Sequence, residues 1–198
     1  TNILPKIVDH ETKKQEIIEK SKIVFAKRGY HNTNISHISE KCGMGRTTIY
    51  QYFKNKDEIF YYTVGSSLEE IQTQIEVIAA DDKLTSIEKI KEIVEQLTNG
   101  QKNNNSIVLL LEIWLVLKRE RNETLEKLKE YTQELKKTIE ILVKEAINEK
   151  EIKPIDSKSL AETIYTFIET FTLQRNSVNL DTRVKTESLD LLIDGLRV

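Results

Sequence analysis

Apolar residues recur at helical spacing along almost the whole chain, and polar breaks divide the pattern into nine segments. The first runs from about Glu11 to Arg28, with Ile17, Ile18, Ser21, Val24 and Phe25 on one stripe. Lys27 and Arg28 suit its C-terminal dipole and Gly29 suits its C′ position, whereas residues 1–10 lack a period and are expected to form a mobile arm. Two short segments follow, Ile35–Cys42 and Arg46–Tyr52, parted by Gly43-Met44-Gly45. Asn34 is a good N-cap for the first, while Gly45 leaves the second more loosely capped. A fourth helix is predicted after Asn55, with Asp57 and Glu58 at its positive end, continuing to about Ala80 and carrying a bend-prone Gly65-Ser66 pair. Thr85 and Glu88 form a capping box that opens a fifth, about 85–98. Residues 100–105 are the clearest loop, and a sixth helix over about 106–120 is nearly apolar all round, so it should be the most buried. The seventh, from about Glu123 to Lys150, carries Leu125, Leu128, Leu135, Ile139, Leu142, Val143 and Ile147 along its stripe. Pro154 ends it; Asp156 caps an eighth over about 157–176, and a ninth covers about 184–196. The fold class is all-α.

The two short segments have the spacing of a helix-turn-helix. Ile38 anchors the first, Ser39 is small enough for close approach, Gly43 tolerates φ > 0, and Ile49 pins the second to the core. Arg46, Thr47, Thr48, Tyr50, Gln51 and Tyr52 then form a surface rich in hydrogen-bond donors, the chemistry of a DNA reader. Taken alone, such a corner is as readily one bend in a larger bundle. Tyr50 and Tyr52, two apart on a helix, cannot both face inward.

Composition changes the picture in two places. The net charge of −2 suits a nucleic-acid binder poorly until the chain is divided. Residues 1–60 hold 11 Lys/Arg against 7 Asp/Glu, a charge of +4, and residues 61–198 hold 19 against 25, a charge of −6. A basic module on an acidic body suits local phosphate binding. The single Cys42 excludes an intrachain disulfide and reads as a small packing residue, so a cytoplasmic location is expected. His10, His31 and His37 lack ligand spacing, and no phosphate loop, nucleophile motif or carboxylate pair is present. No metal, no cofactor and no enzyme activity are expected. Apolar runs fall short of the ~18 residues of a membrane span, so no membrane association is expected.

Residues 11–60 resemble the TetR family of bacterial transcriptional regulators. The resemblance rests on Ile17-Ile18, Phe25, Gly29-Tyr30, Thr33-Asn34-Ile35, Ile38, Gly43 and the run from Thr48 to Asp57, TIYQYFKNKD. It implies a nine-helix homodimer with a helix-turn-helix head over residues 1–56 and an effector-binding, dimerising body over 57–198. The partners it implies are a double-stranded DNA operator, a second copy of the chain and an unidentified small-molecule effector. Such proteins are mostly repressors that the effector releases from DNA; the alternative is a body that recruits a protein partner instead. By the same resemblance Arg46, Thr47, Tyr50 and Gln51 would approach base edges. Thr48, Tyr52 and Lys56 would contact phosphates, with Ser36 and His37 nearby at the start of their helix. Gly45 and Thr47 depart from the family pattern, which often has Ser and Gly there, so operator preference does not transfer.

In the body, Asn105, Glu112 and Arg119 recur every seven residues and form a narrow polar stripe on an apolar helix. A thin solvent-facing strip is the simpler account; a carboxylate facing a cavity is the functional one. On that second reading Leu110, Glu112, Trp114, Tyr131, Tyr165 and Phe171 are expected to line an effector pocket. Leu160, Ile164, Phe167, Ile168, Leu189, Leu192, Ile193 and Leu196 are expected at the dimer interface, although these stripes could equally close the subunit's own core.

Overall fold

The computed structural model describes residues 5–99, 123–174 and 182–198, and those residues form eight helices. They are α1 (Pro5–Arg28), α2 (Ile35–Cys42), α3 (Arg46–Tyr52), α4 (Lys56–Ala79), α5 (Ser86–Asn99), α6 (Glu123–Asn148), α7 (Ser157–Gln174) and α8 (Thr182–Asp194). The nearly apolar helix expected over about 106–120 lies outside the described residues, so α6 to α8 are the seventh to ninth segments of the sequence pattern. Among the described residues the only extended pairing is an isolated bridge between Ile152 and Arg197. The fold is all-α.

The helix ends obey local chemistry. Asn34 caps α2 and Gly43 ends it in the left-handed region at φ 67°, its N–H reaching the Glu40 and Ser39 carbonyls. Gly29, at φ 77°, ends α1 in the same way. Asn55 Oδ1 accepts from the Glu58 N–H at 2.8 Å to open α4. Thr85 and Glu88 exchange backbone-to-side-chain bonds of 2.8 and 3.3 Å ahead of α5, and Asp156 Oδ2 accepts from the Ser159 N–H at 2.7 Å at the start of α7. α1 departs from expectation by starting at Pro5 rather than near Glu11. Proline is at home in a first helical turn, where its missing N–H has no partner to lose.

The chain divides into two compact units, and the division falls inside α4, between Glu70 and Ile71. In the first unit α1, α2, α3 and the leading turns of α4 enclose a core of Ile17, Phe25, Ile38, Ile49, Phe53, Ile59, Phe60 and Val64. The Phe25 and Phe60 rings meet edge to face at 4.9 Å, joining α1 to α4. Lys22, only 6% exposed, lies between the same helices, its ammonium 2.9 Å from Glu19 and 3.3 Å from Glu70. Ser66 donates to Glu19 at 3.3 Å, so the Gly65-Ser66 pair sits inside a continuous α4 that is tied to α1.

In the second unit Ile90, Ile93 and Val94 of α5 are buried with Ile139, Leu142 and Val143 of α6, Leu160 and Ile164 of α7, and Leu189 and Ile193 of α8. Polar ties join these helices at their margins. Lys91 pairs with Asp190 at 2.7 Å, Lys136 with Glu162 at 2.7 Å, and Gln96 donates to Gln74 at 2.8 Å. The Glu151 carboxylate, just past the end of α6, accepts from the Ser86 and Ile87 N–H groups at 3.0 and 3.4 Å. A negative charge on the first turn of α5 satisfies free donors and matches the helix dipole.

Gly43 and Gly65 give opposite expectations from the same substitution. A Cβ at either position meets nothing within 4 Å, so conformation alone decides the sign. Gly43→Ala, forced into the left-handed region, should lose about 1–2 kcal/mol, whereas Gly65→Ala inside α4 should gain roughly 0.5–1 kcal/mol. Urea unfolding of the two variants beside the wild type measures both.

Candidate nucleic-acid interface

The interface is built outward from α2. Thr33, buried at the end of the α1–α2 turn, donates through its hydroxyl to the Gly29 carbonyl at 2.7 Å and so fixes where α2 begins. Asn34 Oδ1 accepts from the His37 N–H at 3.1 Å while His37 Nδ1 accepts from the Asn34 N–H at 3.3 Å, a reciprocal capping box. His37, expected near phosphate, thus spends one ring nitrogen on the helix start. Ser36 is exposed beside it.

Gly43 then turns the chain. Met44 N–H reaches back to the Ser39 carbonyl at 3.0 Å, and α3 starts from Gly45 with no side-chain cap. Ile49 is the buried residue of α3, and Phe53, buried at its C-cap, closes the far end. With that face held, Arg46, Thr47, Tyr50 and Gln51 are all exposed, Tyr50 by 55%. Thr48 and Tyr52 are half-buried at the edge. The four residues expected to face bases therefore share the open surface of α3, and those expected to face phosphates flank it. The Tyr52 ring packs on His10 of α1 with centroids 4.7 Å apart.

Lys56 is half-buried at the first position of α4. Its Nζ donates to the Tyr30 carbonyl at 2.9 Å and stands 4.1 Å over the Tyr30 ring, while the Tyr30 hydroxyl donates to Asp57. An ammonium has three donors, so two remain for a phosphate. Thr33, Asn34, Ile35, Ser36, Arg46, Tyr50, Lys54, Asn55 and Lys56 line an open groove of about 440 Å³. Its three cations are accompanied by no carboxylate, and the capped starts of α2 and α4 add N-terminal dipoles of the sign an anion needs. Thr33, Asn34, Lys54 and Asn55 were not among the expected contacts. The Lys-Asn-Lys order at 54–56 was their signal, because a cap residue between two lysines brings both cations to one helix start.

Electrostatics behind this face is structural. Hydrogen bonds from Lys13 and Lys20 hold the Glu16 carboxyl well below the usual range, at about 2. Cys42 is buried, and burial pushes its thiol up, away from the reactive thiolate. No group of His, Cys, Asp and Glu able to hold a metal occurs among the described residues. No described helix is long and apolar enough to cross a membrane.

The expected body sites fare unevenly. Leu110, Glu112 and Trp114 lie outside the described residues. Tyr131 and Tyr165 are half-buried and close enough to interact, and Phe171 is half-buried against Phe167 at 5.3 Å. Of the positions expected at a dimer interface, Leu160, Ile164, Ile168, Leu189 and Ile193 are closed off inside the subunit, because α7 and α8 both pack on α5. Phe167, Leu192 and Leu196 keep partial exposure, and Leu191 is 75% exposed.

A short helix with one buried face, a left-handed glycine turn and a cation-lined groove beside it define a helix-turn-helix DNA-binding head. The pattern of the bacterial regulatory proteins, tetR family, matches residues 17–62, from the middle of α1 to the second turn of α4. That match identifies the head as the DNA-binding domain of that family, and the curated relatives that match the chain are transcriptional regulators rather than enzymes. The chain is 27% identical over 192 residues to the fatty acid metabolism regulator protein of Bacillus subtilis, covering 93% of this chain and 95% of that one. A solved structure named as a candidate fatty acid metabolism regulator of Clostridium perfringens is 23% identical with a TM-score of 0.67, covering 92% and 99%. AibR, solved with isovaleryl coenzyme A and operator DNA, is 16% identical with a TM-score of 0.68, covering 93% and 97%.

Lys56→Met keeps the apolar stem but removes the bond to Tyr30. Loss of about 1–2 kcal/mol in unfolding free energy is expected, read by chemical denaturation in the absence of DNA.

Proposed function

We propose that this protein is a homodimeric repressor of genes of fatty acid metabolism, released from its operator by an acyl thioester of coenzyme A. The observation that carries the DNA half is the exposed face of α3, four side chains with base-reading chemistry above a cation-lined groove. Arg46 and Gln51 have the donor patterns that read guanine and adenine, and Thr48, Tyr52, Lys54 and Lys56 position the duplex through phosphates. Ser36, Thr47, Tyr50 and one His37 nitrogen complete the surface.

The metabolic half rests on the near full-length relative that regulates fatty acid metabolism, with the coenzyme A complex of AibR as support from the fold. Dimerisation fits a head that reads one half-site, since paired half-sites about 34 Å or a multiple apart need two heads. Phe167, Leu191, Leu192 and Leu196 are the apolar positions of α7 and its neighbour that one subunit leaves open. Release is a population shift in which the effector favours a head spacing that does not fit DNA. The head residues 1–56 and the body 57–198 exchange that signal along α4, with Gly65 as its compliant point.

The test is binding to DNA upstream of fatty acid metabolism genes at two salt concentrations, with and without hexadecanoyl-coenzyme A. Arg46→Ala should lose about 1–3 kcal/mol on the operator and discriminate less against mutated sites. Lys54→Ala should weaken all sequences alike and lower the salt slope by about one. Binding that is sequence-independent and vanishes with salt would overturn operator recognition. A monomeric mass by light scattering at micromolar concentration would overturn the dimer.

A further inference from the structure

In the second unit one polar group stands without the partner its burial demands. The Tyr131 hydroxyl oxygen is inaccessible to solvent and has no hydrogen-bond partner among the described residues. Tyr165, beside it on α7, is engaged by Thr132 through its own hydroxyl, and Lys136, 4.5 Å over the Tyr165 ring, pairs with Glu162. Among the described residues, these neighbouring polar groups bond to each other rather than to Tyr131. Leu128 and Leu135, one turn away on either side along the same face of α6, are both buried. A buried phenol left unsatisfied in apolar surroundings is costly, and native proteins rarely keep one without a reason.

We propose that Tyr131 is the hydrogen-bond donor that selects the effector, binding an acyl oxygen, either a thioester carbonyl or a free carboxylate, whose alkyl chain lies against the apolar face of α6. This rests on the small-molecule effector of the preceding reading and adds the group that recognises it. Burial, reinforced by the neighbouring Tyr165, raises the Tyr131 phenol above its ordinary range, so the proton stays on and the group can donate. Its one proton rewards an acceptor; the phenol oxygen can also accept, so an ammonium head is the competing ligand class that the experiment has to separate. Ser21, the other buried hydroxyl without a partner, differs in kind. A serine on a helix reaches the carbonyl four residues back by rotating, whereas a tyrosine carries its hydroxyl beyond its own backbone.

The experiment compares the full-length wild type with Tyr131→Phe, which removes one oxygen and nothing else. Calorimetric binding of hexadecanoyl-coenzyme A, hexadecanoate and hexadecan-1-amine is measured, with thermal unfolding of the ligand-free proteins in parallel. Tyr131→Phe should weaken the oxygen-headed ligands about 5- to 50-fold, leave operator affinity unchanged and leave the ligand-free melting temperature unchanged or higher. If only hexadecanoate binds and depends on Tyr131, the donor role stands and the coenzyme A thioester of the preceding reading falls. Equal affinity of the two proteins for an acyl ligand overturns the Tyr131 assignment and leaves that reading intact. A wild type that binds none of the three, or prefers the amine, overturns it as well. A lower ligand-free melting temperature with unchanged binding would mark the hydroxyl as structural and overturn it too.

Discussion

A helix of seven residues cannot hold itself. Isolated helices below ~12–15 residues are marginal in water, and α3 also lacks a side-chain N-cap. Its existence depends on Ile49 and Phe53, both sealed in the head core, and on the tight turn that delivers Gly45 to the right place. Much of the first unit serves that placement. Thr33 sets the start of α2, the Asn34–His37 box fixes its first turn, and Gly43 fixes its end. Because packing takes only one face of α3, the other face is free to carry chemistry with no duty to stability.

The next constraint is α4. Its leading turns belong to the head core through Ile59, Phe60 and Val64, while Ile71 and Ile75 are buried in the second unit. Lys22 marks the limit of the head. Its buried ammonium needs Glu19 and Glu70, since an unpaired charge there would be expensive to hold. Both carboxylates are partly exposed, so the network costs less desolvation than a fully buried triad and remains sensitive to a change at either end. α4 thus contributes its leading turns to the head, tied to α1 as far as Glu70, and its later turns to the second unit.

Much of the head was legible in the sequence because its signals are local. Caps at Asn34 and Asn55, the glycine turn at Gly43 and the exposed quartet on α3 all follow from a few neighbouring residues, as do the caps at Thr85 and Asp156 in the body. Other features escaped for physical reasons. His37 does the work usually given to Glu or Gln at the third position of a capping box, so the usual pattern hid it. The start of α1 at Pro5 is missed because residues 1–10 show no clear helical period in the sequence. Lys22 reads as a surface charge by type and is buried by a pairing 48 residues away. In the body, an apolar stripe states only that something covers it. Leu160, Ile164, Ile168, Leu189 and Ile193 are covered by their own subunit, and no spacing rule separates that outcome from coverage by a second copy.

Among the described residues each unit leaves one buried hydroxyl without a partner, Ser21 in the head and Tyr131 in the body, and the two differ in how easily a partner is reached from the chain itself. In the head most buried or half-buried polar groups have local partners, Thr33 on Gly29, Ser39 on Ser36, Thr63 on Ile59, Ser67 on Thr63 and Lys56 on Tyr30, with the Ser21 hydroxyl the exception. In the body the Glu151 carboxylate satisfies the start of α5, while the protonated Tyr131 phenol is left unpartnered among the described residues. Selection for stability alone would replace that tyrosine with phenylalanine, which fills the same volume without the desolvation cost. Retaining the hydroxyl makes physical sense where its partner arrives from outside the chain.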